Sequence, residues 1–142
     1  MKMRICCALF LSASILAQEA HTSLTSLKNL LAKQGFTGAL DGKITIKRLG
    51  VLHCGSRQFE SFYHTWEQSN PPGARHAAYR VVLVEEGSKY VGSYRVPESP
   101  ARITRSAILF NFKDEDGNII QCDGDNPPAS VVLDGEFSTL FK

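Results

Sequence analysis

The sequence of 142 residues has no long hydrophobic run and little excess of charge. Its longest apolar stretch, residues 5–17, is well below the roughly 20 residues that a transmembrane helix needs. Of the 16 lysines and arginines, Lys2 and Arg4 stand in or before this stretch, so residues 18–142 carry 14 basic side chains against 14 acidic ones. Such a neutral chain lacks the concentrated positive field that nucleic acids attract. We therefore expect no nucleic-acid partner and no stable membrane insertion of residues 18–142.

The first seventeen residues have the order of a secretory signal peptide. Lys2 and Arg4 form a basic head, an apolar middle follows, and Ala17 precedes the polar pair Gln18-Glu19. We predict that the chain is secreted or periplasmic and is cleaved after Ala17, with Ala20 as the competing site. A retained membrane anchor is the alternative, which the shortness of the apolar run disfavours.

Cysteines are few once the signal peptide is removed. Cys6 and Cys7 leave with it, and only Cys54 and Cys122 remain. Two thiols in an oxidising compartment predict one disulfide bond between them. This bond closes a loop of about 70 residues, for which the chain-entropy model gives a stabilisation of roughly 4 kcal/mol. Two separate buried thiols are the alternative.

The sequence also lacks the local spacing of a metal site or a catalytic nucleophile. None of its four histidines stands two or four residues from another, whereas zinc needs three or four converging ligands. The G-x-S-x-G pattern of many hydrolases does not occur. Two acidic clusters, residues 114–118 and 123–125, do not fit the twelve-residue calcium loop and are typical of hairpin turns. We predict no metal and no cofactor.

One segment has the period of a helix. In residues 22–34 leucines recur at intervals of three and four, at positions 24, 27, 30 and 31. Thr22 or Ser23 can cap the start of this helix, and Gly35 can end it. We expect its leucine face to lie on a sheet.

The rest of the chain has the pattern of short strands. Residues 79–96 contain two runs of β-branched and aromatic residues around a break at 86–88, which predicts a central hairpin. Gly50 and Gly92 indicate bends. We therefore predict one mainly β domain over residues 18–142, an antiparallel meander that forms a small barrel or a curved sheet, with one N-terminal amphipathic helix. Further strands are predicted at 43–54, 57–67, 103–112, 119–122, 130–133 and 137–141.

Candidate binding residues lie on two of these strands. Glu60, His64 and Trp66 share one face of the strand at 57–67, so a carboxylate, an imidazole and an indole can line one cavity. Glu60 and His64 are too far apart along a strand, at roughly 13 Å, for a direct hydrogen bond. Their spacing therefore favours the polar wall of a ligand cavity, or an ordinary solvated face, over an acid–base pair.

A second set of candidates is aromatic. Tyr90 and Tyr94, with Gly92 between them, are expected on one face of a strand, where they either pack or form the floor of a pocket. The proline-containing loop at 68–75, flanked by Trp66 and His76, is predicted to contact a partner. We predict no catalytic residue.

These observations lead to three functional hypotheses. The favoured one is a secreted or periplasmic, non-catalytic binding protein for a small apolar or aromatic ligand or for a protein partner, which includes an enzyme inhibitor. The second is a small secreted hydrolase that uses Glu60, His64 and His76, since active sites assemble from distant positions. The third is an envelope-associated structural module whose sheet edge pairs with another chain.

Overall fold

The strand-rich pattern is confirmed in a computed structural model of the chain. It describes residues 23–69, 75–86, 89–100, 102–110 and 118–142, without the side chains of 68, 69 and 75–77, so the predicted signal peptide lies outside the described residues. The described elements are α1 (Leu24–Lys33), β1 (Ile44–Cys54), β2 (Arg57–Ser69), β3 (Arg75–Glu85), β4 (Lys89–Arg95), β5 (Arg102–Ile103), β6 (Ala107–Leu109), β7 (Ile119–Gln121), β8 (Ser130–Leu133) and β9 (Glu136–Thr139).

Helix α1 begins and ends where its sequence predicts. The Ser23 side chain accepts a hydrogen bond from the backbone N–H of Ser26, which satisfies one of the unpaired donors at the start of the helix. At the other end the N–H of Phe36 donates to the carbonyl of Leu31 at 3.0 Å, the bond of a Schellman motif around Gly35. In the described part of the chain no helix is long and apolar enough to span a membrane.

The first four strands form one antiparallel meander in the order β1-β2-β3-β4. The later strands form a three-stranded sheet, β5-β6-β7, and the separate hairpin β8-β9. The described strands therefore make a mainly β, curved meander with one helix, as predicted, and do not close into a barrel.

One strand boundary differs from the prediction. The segment predicted as a single strand at 103–112 is divided into β5 and β6, which pair with each other as a hairpin. The intervening turn is held by Thr104, whose N–H and hydroxyl both donate to the carbonyl of Ala107, at 2.8 and 3.2 Å. Polar turn residues at 104–106 thus prevail over the apolar residues that flank them.

Strand β3 is buried on both of its faces. Val81, Val82, Leu83 and Val84 are all at most 4% exposed, and alternate residues of a strand point to opposite faces. The sheet β1–β4 therefore has two cores. The hairpin-side core contains Leu52, Phe59, Val81, Leu83, Tyr94, Ile108, Phe110, Ile120 and Leu133. The helix-side core contains Leu27, Leu31, Phe36, Phe62, Val82, Val84 and Tyr90.

The predicted disulfide bond is confirmed in the structure. Cys54, the last residue of β1, is bonded to Cys122, which follows β7, and the two Cα atoms are 5.3 Å apart. Cys54 is fully buried in the hairpin-side core. The bond therefore attaches the β5–β7 sheet to the central meander at the edge of a shared core.

Two glycines mark β-bulges, where the pairing register shifts. On β1 the shift lies between Arg48 and Gly50, and on β4 it lies opposite Leu83 and Val84, which pair with Gly92 and Tyr90. Both glycines have positive φ, +148° at Gly50 and +158° at Gly92. A bulge bends its strand and increases the local twist, which agrees with the bends predicted at these residues.

We predict that Gly92→Ala destabilises the fold more than the same substitution at a glycine that also has positive φ but has open space around it. A Cβ at Gly92 meets the Phe141 carbonyl oxygen at 2.7 Å and a methyl of Leu140 at 2.8 Å, in addition to the cost of its positive φ. We expect a loss of about 2 kcal/mol or more in the free energy of unfolding, measured in urea.

Gly42→Ala is the matched control. Gly42 has φ +83°, but a Cβ there meets nothing within 4 Å. We expect its loss to be about 1 kcal/mol, from backbone strain alone. Equal losses for the two variants would contradict the close approach of the C-terminal segment at Gly92.

Candidate ligand-binding site

The helix face, defined as the face of β1–β4 that α1 covers, carries both apolar and polar side chains. Because paired residues of neighbouring strands point to the same face, the register aligns them in rows across the sheet. The tryptophan row consists of Ile44, Trp66 and Ala78, and the arginine row next to it consists of Ile46, His64, Arg80 and Arg95. The row beyond that consists of Arg48, Phe62, Val82 and Ser93.

Phe36 joins the helix to the arginine row. Its ring contacts His64 edge-on at a centroid distance of 5.2 Å and Tyr90 edge-on at 5.7 Å. The guanidinium carbon of Arg80 lies 5.6 Å from the centre of the same ring. Because the Schellman motif fixes the backbone of Phe36, the end of α1 determines how far the helix-side core extends along the sheet.

His64 is a buried, neutral member of the arginine row. It is 1% exposed, and its Nε2 lies 2.6 Å from the carbonyl oxygen of Ala39, so Nε2–H is the donor in this bond. Its Nδ1 is buried without a hydrogen-bond partner among the described residues. Burial lowers the pKa of His64, the Ala39 carbonyl opposes this effect, and the nearby charge of Arg80 lowers the pKa further.

Arg80 and Arg95 stand opposite each other on β3 and β4. Arg80 is half-buried, and burial, followed by the charge of Arg95, lowers its pKa. Its Nη1 donates to the hydroxyls of Thr37 and Ser93, both at the long distance of 3.5 Å. Among the described residues no carboxylate lies within ion-pair distance of either arginine. The two cations therefore meet at the edge of the helix-side core with only weak partners.

Trp66 lies in the tryptophan row on β2, diagonal to Arg80 and two strands from Arg95. Its side chain is half-buried, as are those of Ile44 and Ala78 on either side. Trp66 belongs to neither hydrophobic core of the described chain. We call the tryptophan and arginine rows together the open end of the helix face.

The structure separates the proposed acid and base. Glu60 shares its strand face with His64 and Trp66, as predicted, but its Oε2 is 3.5 Å from Nε of Arg48, whereas His64 is bound to Ala39. The backbone of His76 pairs with Gln68 on the neighbouring strand, and its side chain lies outside the described residues, as does most of the loop at 68–75. The two described groups thus have different partners.

The expectation that Tyr90 and Tyr94 share a face is wrong. Tyr90 packs in the helix-side core, and its hydroxyl donates to the carbonyl of Phe141 at 3.2 Å. Tyr94 is buried in the hairpin-side core, where its hydroxyl donates to the carbonyl of Pro128. The bulge at Val91 causes this difference, because one unpaired residue reverses the alternation between the two tyrosines.

The sequence-based set lacks Arg80 and Arg95 of the open end, and it lacks Phe36, which packs against it. Arg80 carries a detectable signal, because alternation in the central hairpin places it on one face with Val82 and Val84, where a cation is unusual. No sequence pattern marks Phe36, since it lies in a loop after the helix. The adjacency of Arg80 and Arg95 depends on the hairpin register, which the bulge shifts.

The described chain also contains other candidate features. Across the described ranges no three metal-binding side chains come together. A cleft of about 260 Å³ lies between the end of β4 at Val96 and the β8–β9 hairpin, where Phe137 is 82% exposed. This volume is just below the range of about 300–1,000 Å³ that is typical of small-molecule sites.

Comparison with protein-family models, with curated proteins and with solved structures finds no match to this chain. Its function is therefore inferred from the chemistry of the open end.

We predict that His64 makes the fold less stable in mild acid. Because the folded chain holds the pKa of His64 below the unfolded value near 6.5, the unfolded state binds a proton first as the pH falls. The free energy of unfolding should decrease below pH 6.5, by at most about 1.4 kcal/mol per pH unit from this residue. Urea unfolding at pH 7.5 and pH 5.5 measures the decrease.

His64→Gln keeps an N–H donor for the Ala39 carbonyl and does not titrate, so we expect it to lose this part of the pH dependence. His53→Gln is the control for the loss of a partly buried histidine elsewhere on the sheet. If His64→Gln retains the full wild-type decrease, the buried neutral state of His64 is not its source.

Proposed function

We propose that this protein is an exported, non-catalytic binding protein that holds a small apolar or aromatic ligand at the open end of the helix face. The observation that carries the proposal is the placement of Trp66. This indole is half-buried on the sheet, one row away from Arg80 and Arg95, yet it belongs to neither core of the described chain. An aromatic ring of this kind, beside a few polar groups, is typical of small-molecule sites.

The rigidity of the surrounding sheet supports a binding role. Trp66 lies within an uninterrupted register between β2 and β3, from Phe59–Glu85 to Ser69–Arg75. Phe36 closes the adjacent end by packing on His64 and Tyr90. A ligand therefore meets side chains that are already in position, which lowers the entropic cost of binding.

Two features support export. The basic head and short apolar run of residues 1–17 have the order of a signal peptide. The bond between Cys54 and Cys122 is typical of proteins that fold in an oxidising compartment. We therefore place the binding function in the periplasm or outside the cell.

We predict that the full sequence, expressed in a bacterial host, yields an exported product that begins at Gln18. Mass spectrometry should give the mass of residues 18–142 without thiols that react with an alkylating agent until a reductant is added. Cys54→Ser is the control and should expose one reactive thiol, from Cys122. A cytosolic product with an intact N-terminus and reactive thiols would contradict export.

Binding at Trp66 can be measured with N-phenyl-1-naphthylamine, a neutral aromatic dye whose fluorescence increases in apolar surroundings. Trp66 is the only tryptophan of the chain, so energy transfer from it to the dye reports binding nearby. We expect saturable binding and a loss of roughly tenfold in affinity in Trp66→Ala, because the stacked ring contributes about 1–2 kcal/mol.

Phe137→Ala is the matched control for loss of an aromatic ring. Phe137 is the most exposed large hydrophobic side chain of the described chain and lies on the β8–β9 hairpin. This variant should bind the dye as the wild type does. Weakened binding in Phe137→Ala with unchanged binding in Trp66→Ala would move the site to the hairpin cleft and overturn the proposal.

A further inference from the structure

The arginine row places two like charges side by side. Arg80 and Arg95 are directly paired across β3 and β4, an arrangement that destabilises a sheet through charge repulsion. The ion pairs of the described chain, Arg48 with Glu60 and Arg57 with Glu85, involve neither of these two residues. Within the described residues the repulsion is therefore not offset by a carboxylate.

The hydrogen-bonding capacity of Arg80 is also only partly used. An arginine carries five N–H donors, and the partners of Arg80 in the described chain are two hydroxyls at 3.5 Å. The ring of Phe36 faces its guanidinium at 5.6 Å, within the range of a cation–π contact. A half-buried, oriented guanidinium with available donors is suited to a forked contact with an oxyanion.

The distance between the two rows sets the size of the ligand. Trp66 and His64 are two residues apart on β2, as are Ala78 and Arg80 on β3, so the rows are separated by roughly 7 Å. Because neighbouring strands are about 4.8 Å apart, the Cα atom of Trp66 on β2 lies roughly 8 Å from that of Arg80 on β3 and roughly 12 Å from that of Arg95 on β4. A fused two-ring aromatic body with one attached acid group, together with the reach of the arginine side chains, covers these distances. Its ring can rest on Trp66 while the acid group reaches the arginines.

We propose that Arg80 and Arg95 bind an oxyanion group of the ligand, so that the ligand is an apolar or aromatic acid whose ring contacts Trp66. This inference rests on the proposed function, because it names the ligand class of the same site. It assigns Arg80 and Arg95 as binding residues. His64 is neutral and bound to Ala39, and its ring packs edge-on against Phe36.

Two dyes with the same aromatic body test the proposal. N-phenyl-1-naphthylamine is neutral, and 1-anilinonaphthalene-8-sulfonate is its sulfonated analogue. We expect the sulfonate to bind about tenfold more tightly at low salt, because a charge-assisted contact to arginine is stronger than a neutral one. Added salt should lower the affinity for the sulfonate and leave the affinity for the neutral dye unchanged, because the arginines are partly exposed and their charges are screened.

Variants of the two arginines test whether these side chains bind the sulfonate group. Arg95→Gln should reduce the affinity for the sulfonate to that for the neutral dye and leave the neutral dye unaffected. Arg80→Gln should have the same effect on the two affinities. If circular dichroism shows that Arg80→Gln does not fold, Arg95→Gln alone tests the proposal, because Arg95 is exposed and its replacement should not disturb the fold. Arg102→Gln, an exposed arginine of β5, is the control for net charge and should leave both affinities unchanged.

A competition experiment separates an acid with a ring from a simple anion. Against the bound sulfonate dye, 2-naphthoate should compete at concentrations at least tenfold lower than inorganic phosphate does, because only naphthoate also contacts Trp66. Equal competition by phosphate would overturn the assignment of an aromatic acid.

The remaining outcomes distinguish the two proposals. If both dyes bind equally and neither arginine variant changes this, the oxyanion assignment is wrong while the binding function remains. If neither dye binds saturably, the proposed function itself fails.

Discussion

The burial of β3 on both faces is the constraint on which the rest of the structure depends. Four consecutive residues, Val81–Val84, have almost no contact with solvent, so each face of the meander needs its own cover. One ten-residue helix covers one face, and the short strands β6, β7 and β8 cover the other. The Cys54–Cys122 bond holds the second cover in place, since those strands are too short to be stable alone.

The candidate site follows from the unequal extent of these covers. Helix α1 and Phe36 cover the row that contains Phe62 and Val82, and Phe36 reaches His64. Arg80, Arg95 and Trp66 lie at or beyond the limit of this cover. A sheet that continues past its cover presents a surface that is rigid, partly apolar and in contact with solvent. Binding sites commonly use such a combination, because the backbone that positions their side chains is already ordered.

Much of the fold could be predicted because its signals are local. The leucine spacing of α1, its cap at Ser23 and the bulge near Gly50 depend on neighbouring residues, and the structure agrees with each. The candidate site could be predicted only in part. Glu60, His64 and Trp66 share a face as strand alternation requires, whereas Tyr90 and Tyr94 do not, because one unpaired residue at Val91 reverses the alternation.

The sequence by itself thus determined the class of fold, the helix, the positions of the bends and the pairing of Cys54 with Cys122. These depend on periodicity, on backbone conformations that favour glycine and on the small number of thiols. Only the tertiary structure decided that Phe36 covers His64 and that Arg80 faces Arg95. Those contacts join residues from separate elements, and their positions depend on pairing register and helix packing, which no local pattern encodes.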